Sequence, residues 1–192
     1  MAVLEIVEAP DKRLKMACEP VKDVNEEIRL LAKNMADTMY AAKGIGLAAN
    51  QVGRTIQMLV CDVRPQEAQE ENPDPNIPGL MTLINPKILT ENGEIVWEEG
   101  CLSVPGVWEE VVRAEHITVE YTDLDGRRQT LEAHGILAIC IQHEMDHLKG
   151  ILFVDHLSLL KRKLAMRKLE RFKREREKKQ TENGAAGSGN PA

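Results

Sequence analysis

The feature that most constrains the fold is the segment QHEMDHLKG at residues 142–150, which contains the pattern H-E-x-x-H. His143 and His147 are four residues apart, so on a helix they lie on one face and can converge on one metal ion. Glu144 borders that face, where a carboxylate can accept a proton from an attacking water. The apolar run ILAICI before it indicates a buried helix. Burying these polar groups without partners is costly, and a bound metal removes that cost.

A catalytic site of this kind usually takes three protein ligands, so a third must come from elsewhere in the chain. The longer protease pattern H-E-x-x-H-x-x-G-x-x-H fails, because Phe153 occupies the last ligand position. Another protease class takes a downstream Glu, but Glu170 lies inside a basic stretch. Cys140 would lie ~7.5 Å along the helix axis from the metal, too far for a thiolate bond of ~2.3 Å. Cys101, which follows a glycine in EEGCLSVPG, is the best remaining candidate.

Composition narrows the class of protein. A chain of 192 residues with 43% hydrophobic residues suits one folded domain. Aromatic residues make up only 3%, which argues against a base-stacking or sequence-specific nucleic-acid surface. No apolar run approaches the ~20 residues of a membrane span, and the start lacks signal-peptide features. We therefore expect a cytoplasmic protein without membrane contact. The cysteines are spread out without C-x-x-C, so thiols, packing groups or metal ligands are expected rather than disulfides (Cys18, Cys61, Cys101, Cys140).

The pattern of the chain predicts an α+β domain, with antiparallel β-sheets packed around the metal-binding helix and further helices towards each end. We expect GIGLAANQVG at residues 44–53 to be a tight loop or an irregular edge segment, and the proline-rich residues 64–79 to form an exposed loop. The other predicted elements are a helix at 24–44, strands at 57–63, 81–89 and 94–113, the last broken by Gly100 and a Pro105–Gly106 turn, a hairpin at 116–135 turning at Asp125–Gly126, and helices at 136–150 and from 157 onwards.

Charge is concentrated near the C-terminus. Residues 161–179 contain eleven Lys or Arg and three Glu, a balance of +8, whereas the whole chain carries −6. A basic helix on an acidic body suggests an anionic partner such as RNA. A solvated helix face explains the same pattern equally well.

Three segments in this order, GIGLAANQVG, EEGCLS and QHEMDHLKG, resemble the signature motifs of the bacterial-type peptide deformylases. The resemblance covers about residues 1–160. It implies a metal-dependent hydrolase that removes the formyl group from the N-terminal methionine of nascent peptides and releases formate. It implies that Cys101, His143 and His147 are metal ligands, that Glu144 is the general base, and that the Gln51 amide and the Leu102 backbone N–H stabilise the oxyanion.

The resemblance also implies ferrous iron as the metal, with zinc, nickel or cobalt able to occupy the site. A thiolate with two imidazoles suits both zinc and iron. Substrate is expected to bind as an added strand against Gly46 and Gly100, with Gly44 leaving room for its backbone. The methionine pocket is expected to be lined by four residues for which ordinary core packing is the alternative (Ile45, Ile136, Ile139 and Cys140).

Two tryptophans near the expected site have no assigned role. Trp97 precedes EEGCLS, and Trp108 stands where many bacterial members of the family carry a basic residue. If Trp108 lines the mouth of the cleft, we expect the specificity beyond methionine to differ.

The chain is therefore divided into a catalytic domain at 1–160, a basic C-terminal helix at 161–179 and a disordered tail at 180–192. Because the family acts on nascent chains, the basic helix suggests docking to the ribosome, with its start anchored by Leu157, Leu160 and Leu164. Two alternatives remain: a zincin-like metallopeptidase, and a non-enzymatic RNA- or ribosome-binding module.

Overall fold

A computed structural model describes residues 2–64 and 78–186 of the protein. These residues form helices α1 (Glu26–Ala41), α2 (Gly135–Leu148) and α3 (Leu159–Ala186). The strands are β1 (Gly46–Ala48), β2 (Met58–Cys61), β3 (Met81–Asn92), β4 (Ile95–Cys101), β5 (Val104–Arg113), β6 (His116–Thr122) and β7 (Arg128–His134). Short 3-10 helices lie at Lys12–Lys15, Ala49–Val52 and Phe153–His156.

Two antiparallel sheets surround helix α2. The larger sheet has five strands in the order β1-β2-β3-β6-β7, and β4 pairs with β5 in a separate two-stranded sheet. Ala138, Ile141 and Met145 of α2 are buried in one cluster with Leu59 and Val119 of the larger sheet. This confirms the predicted α+β fold with a central buried helix.

Helix α1 forms where the sequence predicts it. The Asn25 side chain caps its first turn by accepting a hydrogen bond of 3.0 Å from the Ile28 backbone N–H. Leu31, Met35 and Met39 follow at helical spacing and are buried. The helix ends at Ala41, three residues before the predicted end.

The predicted location of the break in the 94–113 segment is wrong. Pro105 and Gly106 lie inside β5, and the chain turns instead at Leu102 and Ser103. Gly100 does not break β4 but pairs with a residue of β5, and the register shift falls between Gly100 and Cys101. Pro-Gly normally marks a turn. Here a proline is tolerated because β5 pairs with β4 alone among the described strands.

Two other predictions agree with the structure. β6 and β7 form the predicted hairpin, with Asp123 Oδ1 accepting hydrogen bonds of 2.9 Å from the Asp125 and Arg127 backbones in the turn. GIGLAANQVG forms the short edge strand β1 and the 3-10 helix after it, as expected of an irregular edge segment. Most of the predicted loop at 64–79 lies outside the described residues.

Helix α3 extends past residue 179, the predicted end of the basic helix. It begins at Leu159 and continues to Ala186, so the predicted tail at 180–192 overlaps its last seven residues. Residues 187–192 lie outside the described part of the chain. No helix in the described ranges is both long enough and apolar enough to cross a membrane.

The contact of α3 with the body differs from the prediction. Leu157 packs against the buried cluster around Phe153, but Leu160 and Leu164 are 70% and 45% exposed, so their predicted anchoring role is wrong. The face of α3 that meets β5 carries Ala165 and Leu169 instead, and both are buried. These two positions are four residues apart, on one face of the helix.

Candidate metal centre

Three side chains that can bind a metal come together from strand β4 and helix α2. The ligand atoms of Cys101, His143 and His147 all lie within 4.8 Å of one another. Cys101 Sγ is 3.2 Å from His147 Nε2. β4 supplies the thiol at its last residue, and α2 supplies the histidines from successive turns. The geometry thus brings together the three predicted ligands.

A buried carboxylate orients one of these imidazoles. His143 Nδ1 lies 2.7 Å from Glu99 Oε2, which leaves Nε2 to face the cluster. Burial raises the pKa of Glu99, but hydrogen bonds from His143 and Arg113 outweigh it and lower the pKa to about 2. Glu99 is therefore ionised beneath the histidine.

Arg113 continues this chain of charges away from the site. Its Nε donates to Glu99 Oε1 at 2.7 Å, and its Nη1 donates to Asp146. Asp146 Oδ2 in turn lies 2.7 Å from His156 Nε2. His156 is thus a partner of a buried carboxylate and not a ligand. Sequence reasoning missed Glu99, Arg113 and Asp146, although Glu99 directly precedes Gly100-Cys101 and Asp146 lies inside the metal motif.

The donor set fits a divalent metal. Burial lowers the pKa of His147 well below its ordinary value, so its imidazole is neutral, as a metal ligand must be. Burial acts to lower the pKa of His143 as well. The hydrogen bonds of His143 to Cys101 and Glu99 outweigh burial, so the pKa is raised well above its ordinary value. A metal therefore competes with a proton there. Glu144 Oε2 and His147 Nδ1 are buried without a hydrogen-bond partner among the described residues.

Glu144 is poised to exchange a proton. Burial is the main cause that raises its pKa, to about 7, with the negative charge of Glu99 adding to the effect and His143 opposing it. A base with this pKa can both take and release a proton near neutral pH.

Gln51 and Leu102 flank the cluster. Gln51 is buried on the 3-10 helix Ala49–Val52, where Oε1 accepts a hydrogen bond of 2.7 Å from the Ala48 backbone. Its Nε2 lies 3.2 Å from Ser103 Oγ and 3.6 Å from Cys101 Sγ. Leu102 follows Cys101 in the turn. Both predicted oxyanion donors are therefore adjacent to the metal ligands.

A cavity of about 450 Å³ opens above this centre. Ile45 and Ile136 are 40% and 38% exposed, so core packing does not account for them. Cys140 is buried, and its thiol pKa is raised well above the ordinary value by a hydrogen bond with Cys61 and by burial, so it is a neutral wall residue. Trp97 and Trp108 line this cavity. All seven predicted substrate residues line it as well: Gly44, Ile45, Gly46, Gly100, Ile136, Ile139 and Cys140.

Glycine at position 46 leaves space that a side chain would fill. A Cβ on Gly46 would lie 2.5 Å from Glu144 Oε1 and 2.8 Å from Cys140 Sγ. A Cβ on Gly44 would lie 2.8 Å from Leu102 Cδ1. The backbone at Gly46 is therefore so close to the Glu144 side chain that a Cβ does not fit between them.

Comparisons with known proteins agree with this site. The sequence model of a family described as polypeptide deformylase matches residues 3–163. The peptide deformylase of Acinetobacter baumannii is 50% identical over 165 residues, covering 85% of this chain and 88% of that protein. Peptide deformylase 2 of Nitrosomonas europaea is 48% identical over 162 residues, covering 84% and 82%.

Solved structures give the same result. The crystal structure of a peptide deformylase from Legionella pneumophila superposes with a TM-score of 0.83 at 42% identity, covering 92% of this chain and 98% of that one. The peptide deformylase from Ehrlichia chaffeensis in complex with actinonin gives 0.83 at 43% identity, covering 91% and 99%. The matched residues include the Cys-His-His centre, the buried Glu144 and the cavity. The chain belongs to the peptide deformylase family of metal-dependent hydrolases.

Proposed function

We propose that the chain hydrolyses the formyl amide of N-formyl-methionyl nascent peptides with Cys101, His143 and His147 as metal ligands and Glu144 as the proton carrier. The observation that carries this assignment is the unpartnered Oε2 of Glu144, buried beside the Cys-His-His cluster. Burying a carboxylate oxygen without a hydrogen bond costs free energy, and such a group at this place is explained if it exchanges a proton with the substrate water during the reaction.

A divalent metal held by the three ligands would supply Lewis-acid activation of water and of the formyl carbonyl. We propose Fe²⁺ as the native ion, with Zn²⁺, Ni²⁺ or Co²⁺ able to replace it, because the ligand set joins one soft thiolate to two imidazoles. Metal analysis of protein purified without oxygen checks the assignment, and oxygen exposure should inactivate an iron-loaded enzyme more quickly than a zinc-loaded one.

Glu144 accepts a proton from the attacking water and returns it to the leaving amine. In the metal-free protein, burial raises the pKa of Glu144 to about 7, which favours uptake of the proton. Gln51 Nε2 and the Leu102 N–H stabilise the oxygen that becomes negative. The amide of Gln51 is held beforehand by the Ala48 backbone and Ser103, so little reorganisation is required during the reaction.

The substrate backbone binds between two unpaired strand edges. Among the described strands, β1 pairs only with β2 and β4 pairs only with β5. Gly46 in β1 and Gly100 in β4 both line the cavity, so an extended peptide can add to either edge. The methionine side chain lies against Ile136, Ile139 and Cys140.

One measurement tests this function. Formate release from formyl-Met-Ala-Ser is expected from metal-loaded protein prepared without oxygen. Cleavage of an internal peptide bond without formate release would favour the metallopeptidase alternative. A metal-loaded protein that does neither would reject both enzymatic functions and leave the binding module.

We also propose that helix α3 contacts the ribosome and that the enzyme works in the cytoplasm, where nascent chains emerge. Residues 1–160 then hold the catalytic machinery, and α3 is a docked extension. Lys161, Lys163, Arg167 and Arg174 are exposed and form no ion pair within the described residues. Such cations are available for phosphate contacts.

The ribosome proposal needs variants that keep α3 packed. Lys163→Ala/Arg167→Ala/Arg174→Ala should weaken cosedimentation with ribosomes and reduce its salt dependence, while hydrolysis of a short formyl-peptide continues. A matched control removes three exposed cations elsewhere, Lys22→Ala/Lys87→Ala/Lys149→Ala. Equal ribosome binding by the two triple variants would contradict the proposal.

A further inference from the structure

Two histidines stand opposite each other on the outer face of the larger sheet. His116 of β6 and His134 of β7 are register partners, and their ring centroids are 6.2 Å apart with the ring planes at 86°. The adjacent residues Ile117 and Ala133 are buried in the cluster that contains α2. Because side chains alternate between the two faces of a strand, both imidazoles point away from α2 and into solvent. Both histidines are exposed.

Neither imidazole forms a hydrogen bond in the part of the chain that the structure describes. His134 is the N-cap residue of α2, yet its side chain makes no capping hydrogen bond. His116 Nε2 lies 3.9 Å from Glu115 Oε2, which is longer than a hydrogen bond. The ring nitrogens of this pair therefore have no structural task in the fold and are available to a ligand.

The spacing of the two rings is close to that of a pair of metal ligands. His143 and His147 in the Cys-His-His cluster have ring centroids 5.0 Å apart, compared with 6.2 Å for the outer pair. Exposed side chains can close this difference by rotation between rotamers. Among the residues that the structure describes, three ligand atoms lie within 4.8 Å of one another only in the Cys-His-His cluster. The outer pair should therefore bind a metal more weakly than that cluster.

A carboxylate lies beside the outer pair. A Cβ on Gly93 would lie 3.2 Å from Glu115 Oε2 and 3.9 Å from His116 Cδ2, so both side chains lie against the turn between β3 and β4. The 3.9 Å between Glu115 Oε2 and His116 Nε2 is within the roughly 4 Å that can separate two ligand atoms of one metal ion. Imidazole ligands suit Zn²⁺, Ni²⁺ and Cu²⁺, whereas Mg²⁺ and Ca²⁺ prefer oxygen ligands.

We propose that His116 and His134, with Glu115 as the third ligand, form a second site for a transition metal of the Zn²⁺ or Ni²⁺ class. The site is independent of the reaction proposed above, since the described lining of the cavity includes none of the three residues. His116 is the first residue of β6 and His134 is the last residue of β7. A metal bound there ties the open end of this hairpin together, at the point where the chain enters α2, and stabilises the folded protein.

Isothermal titration calorimetry measures the second site. The protein is saturated with Ni²⁺, freed of loosely bound metal by gel filtration and titrated with NiCl₂. One further Ni²⁺ per chain should bind, and an excess of Mg²⁺ should not compete with it. Because removal of one imidazole from a chelating pair should weaken binding by roughly 10²-fold, His116→Gln and His134→Gln should each lose this second Ni²⁺. Its absence from the wild type, or its persistence in both variants, would overturn the proposal.

His156→Gln is the matched control. The chain has five histidines, and His156 is the one that lies outside both pairs. Its side chain is 38% exposed and its Nε2 lies 2.7 Å from Asp146 Oδ2, so its replacement should leave the second Ni²⁺ bound. Glu115→Gln should weaken the second site several-fold, and an unchanged affinity would overturn the assignment of Glu115.

NMR spectroscopy locates the second ion independently. Paramagnetic Ni²⁺ added to the Ni²⁺-saturated protein should broaden the amide signals of residues 115–118 and 132–135 in the wild type, and should leave them sharp in His134→Gln. Broadening confined to another part of the surface would contradict the proposed site.

Discussion

Glu99 Oε2 accepts a hydrogen bond of 2.7 Å from His143 Nδ1, and this contact determines which nitrogen of His143 faces the other two metal ligands. Arg113 holds Glu99 from the opposite side. The orientation of one ligand therefore depends on a buried ion pair, Glu99 and Arg113, of which only Glu99 borders the cavity.

Glu99→Gln is expected to lower metal affinity by roughly 10- to 100-fold, because the amide binds the imidazole more weakly than a carboxylate. It also leaves Arg113 with less compensating charge, so the variant should lose stability, on the order of 3 kcal/mol. Competition with a metal chelator measures the affinity, and circular dichroism confirms that the variant is folded. Glu98→Gln, one residue away and exposed, is the control that should keep wild-type metal affinity.

Cys101→Ala should abolish stable metal binding, because the site keeps only two of its three protein ligands. The matched control is Cys140→Ala, which removes a thiol that lines the same cavity but lies outside the ligand cluster. The metal content per chain after gel filtration distinguishes the two variants, because only Cys101→Ala should lose the metal. Full metal retention by Cys101→Ala would mean that the third ligand is another residue.

Glu144→Gln should reduce kcat by roughly 10²- to 10⁴-fold while metal stays bound, because the variant cannot carry the proton. Single-turnover hydrolysis of formyl-Met-Ala-Ser, with the metal content measured in parallel, checks this. Activity within two-fold of the wild type would remove Glu144 from the mechanism.

Glu144→Gln should lower activity but raise the stability of the metal-free protein above neutral pH. Burial raises the pKa of Glu144 from an ordinary 4.5 to about 7. Below pH 4.5 the carboxyl is neutral in both folded and unfolded chains. Between the two pKa values only the unfolded chain ionises, so the free energy of unfolding falls as pH rises. Above pH 7 the folded chain carries a constant cost, on the order of 3 kcal/mol. Metal-free Glu144→Gln should therefore melt at a higher temperature than the wild type at pH 8, with the difference closing towards pH 5.

Gly46→Ala should impair turnover while sparing the metal. Its methyl group would press on Glu144 Oε1 and Cys140 Sγ, which displaces the proposed general base and narrows the cleft. We expect a fall in kcat/KM of at least roughly 10²-fold, with unchanged metal content. Wild-type kinetics would show that the segment relaxes away from Glu144.

Glu8→Gln should loosen the far part of helix α3. Hydrogen bonds from Arg176 are the main cause that lowers the pKa of Glu8, and Lys173 adds to them. Replacing the charge removes a partly exposed network, about 1 kcal/mol of local stability. Amide hydrogen exchange of residues 172–180 should speed up, while exchange in α2 stays the same. Glu5→Gln, nearby and without an ion pair in the described residues, should leave both unchanged.

The sequence was most informative where chemistry restricts residue type. Only a few side chains bind metal, so spacing indicates His143 and His147 and leaves Cys101 as the best candidate for the third ligand. The Glu99–Arg113 pair could not be predicted, because the two residues lie 14 positions apart on neighbouring strands and are not register partners, so their contact depends on the side-chain directions in the folded protein. Pro105–Gly106 resembles a turn locally, yet Val104, Val107 and Val111 are buried and hold that segment in β5. Hydrophobicity alone predicts that Leu160 and Leu164 are buried, whereas the face of α3 that meets β5 carries Ala165 and Leu169.

Phe172 of α3 rests on Gly106, where a Cβ would lie 2.5 Å from the ring. Gly106 also lines the catalytic cavity, two residues before Trp108. One strand thus separates the helix from the cleft, with an aromatic ring of the enzyme on each side of it. A shortened chain that ends before α3 would lose the support of its cleft wall, so truncation is an unsuitable control for ribosome docking and an unsafe starting point for inhibitor screening.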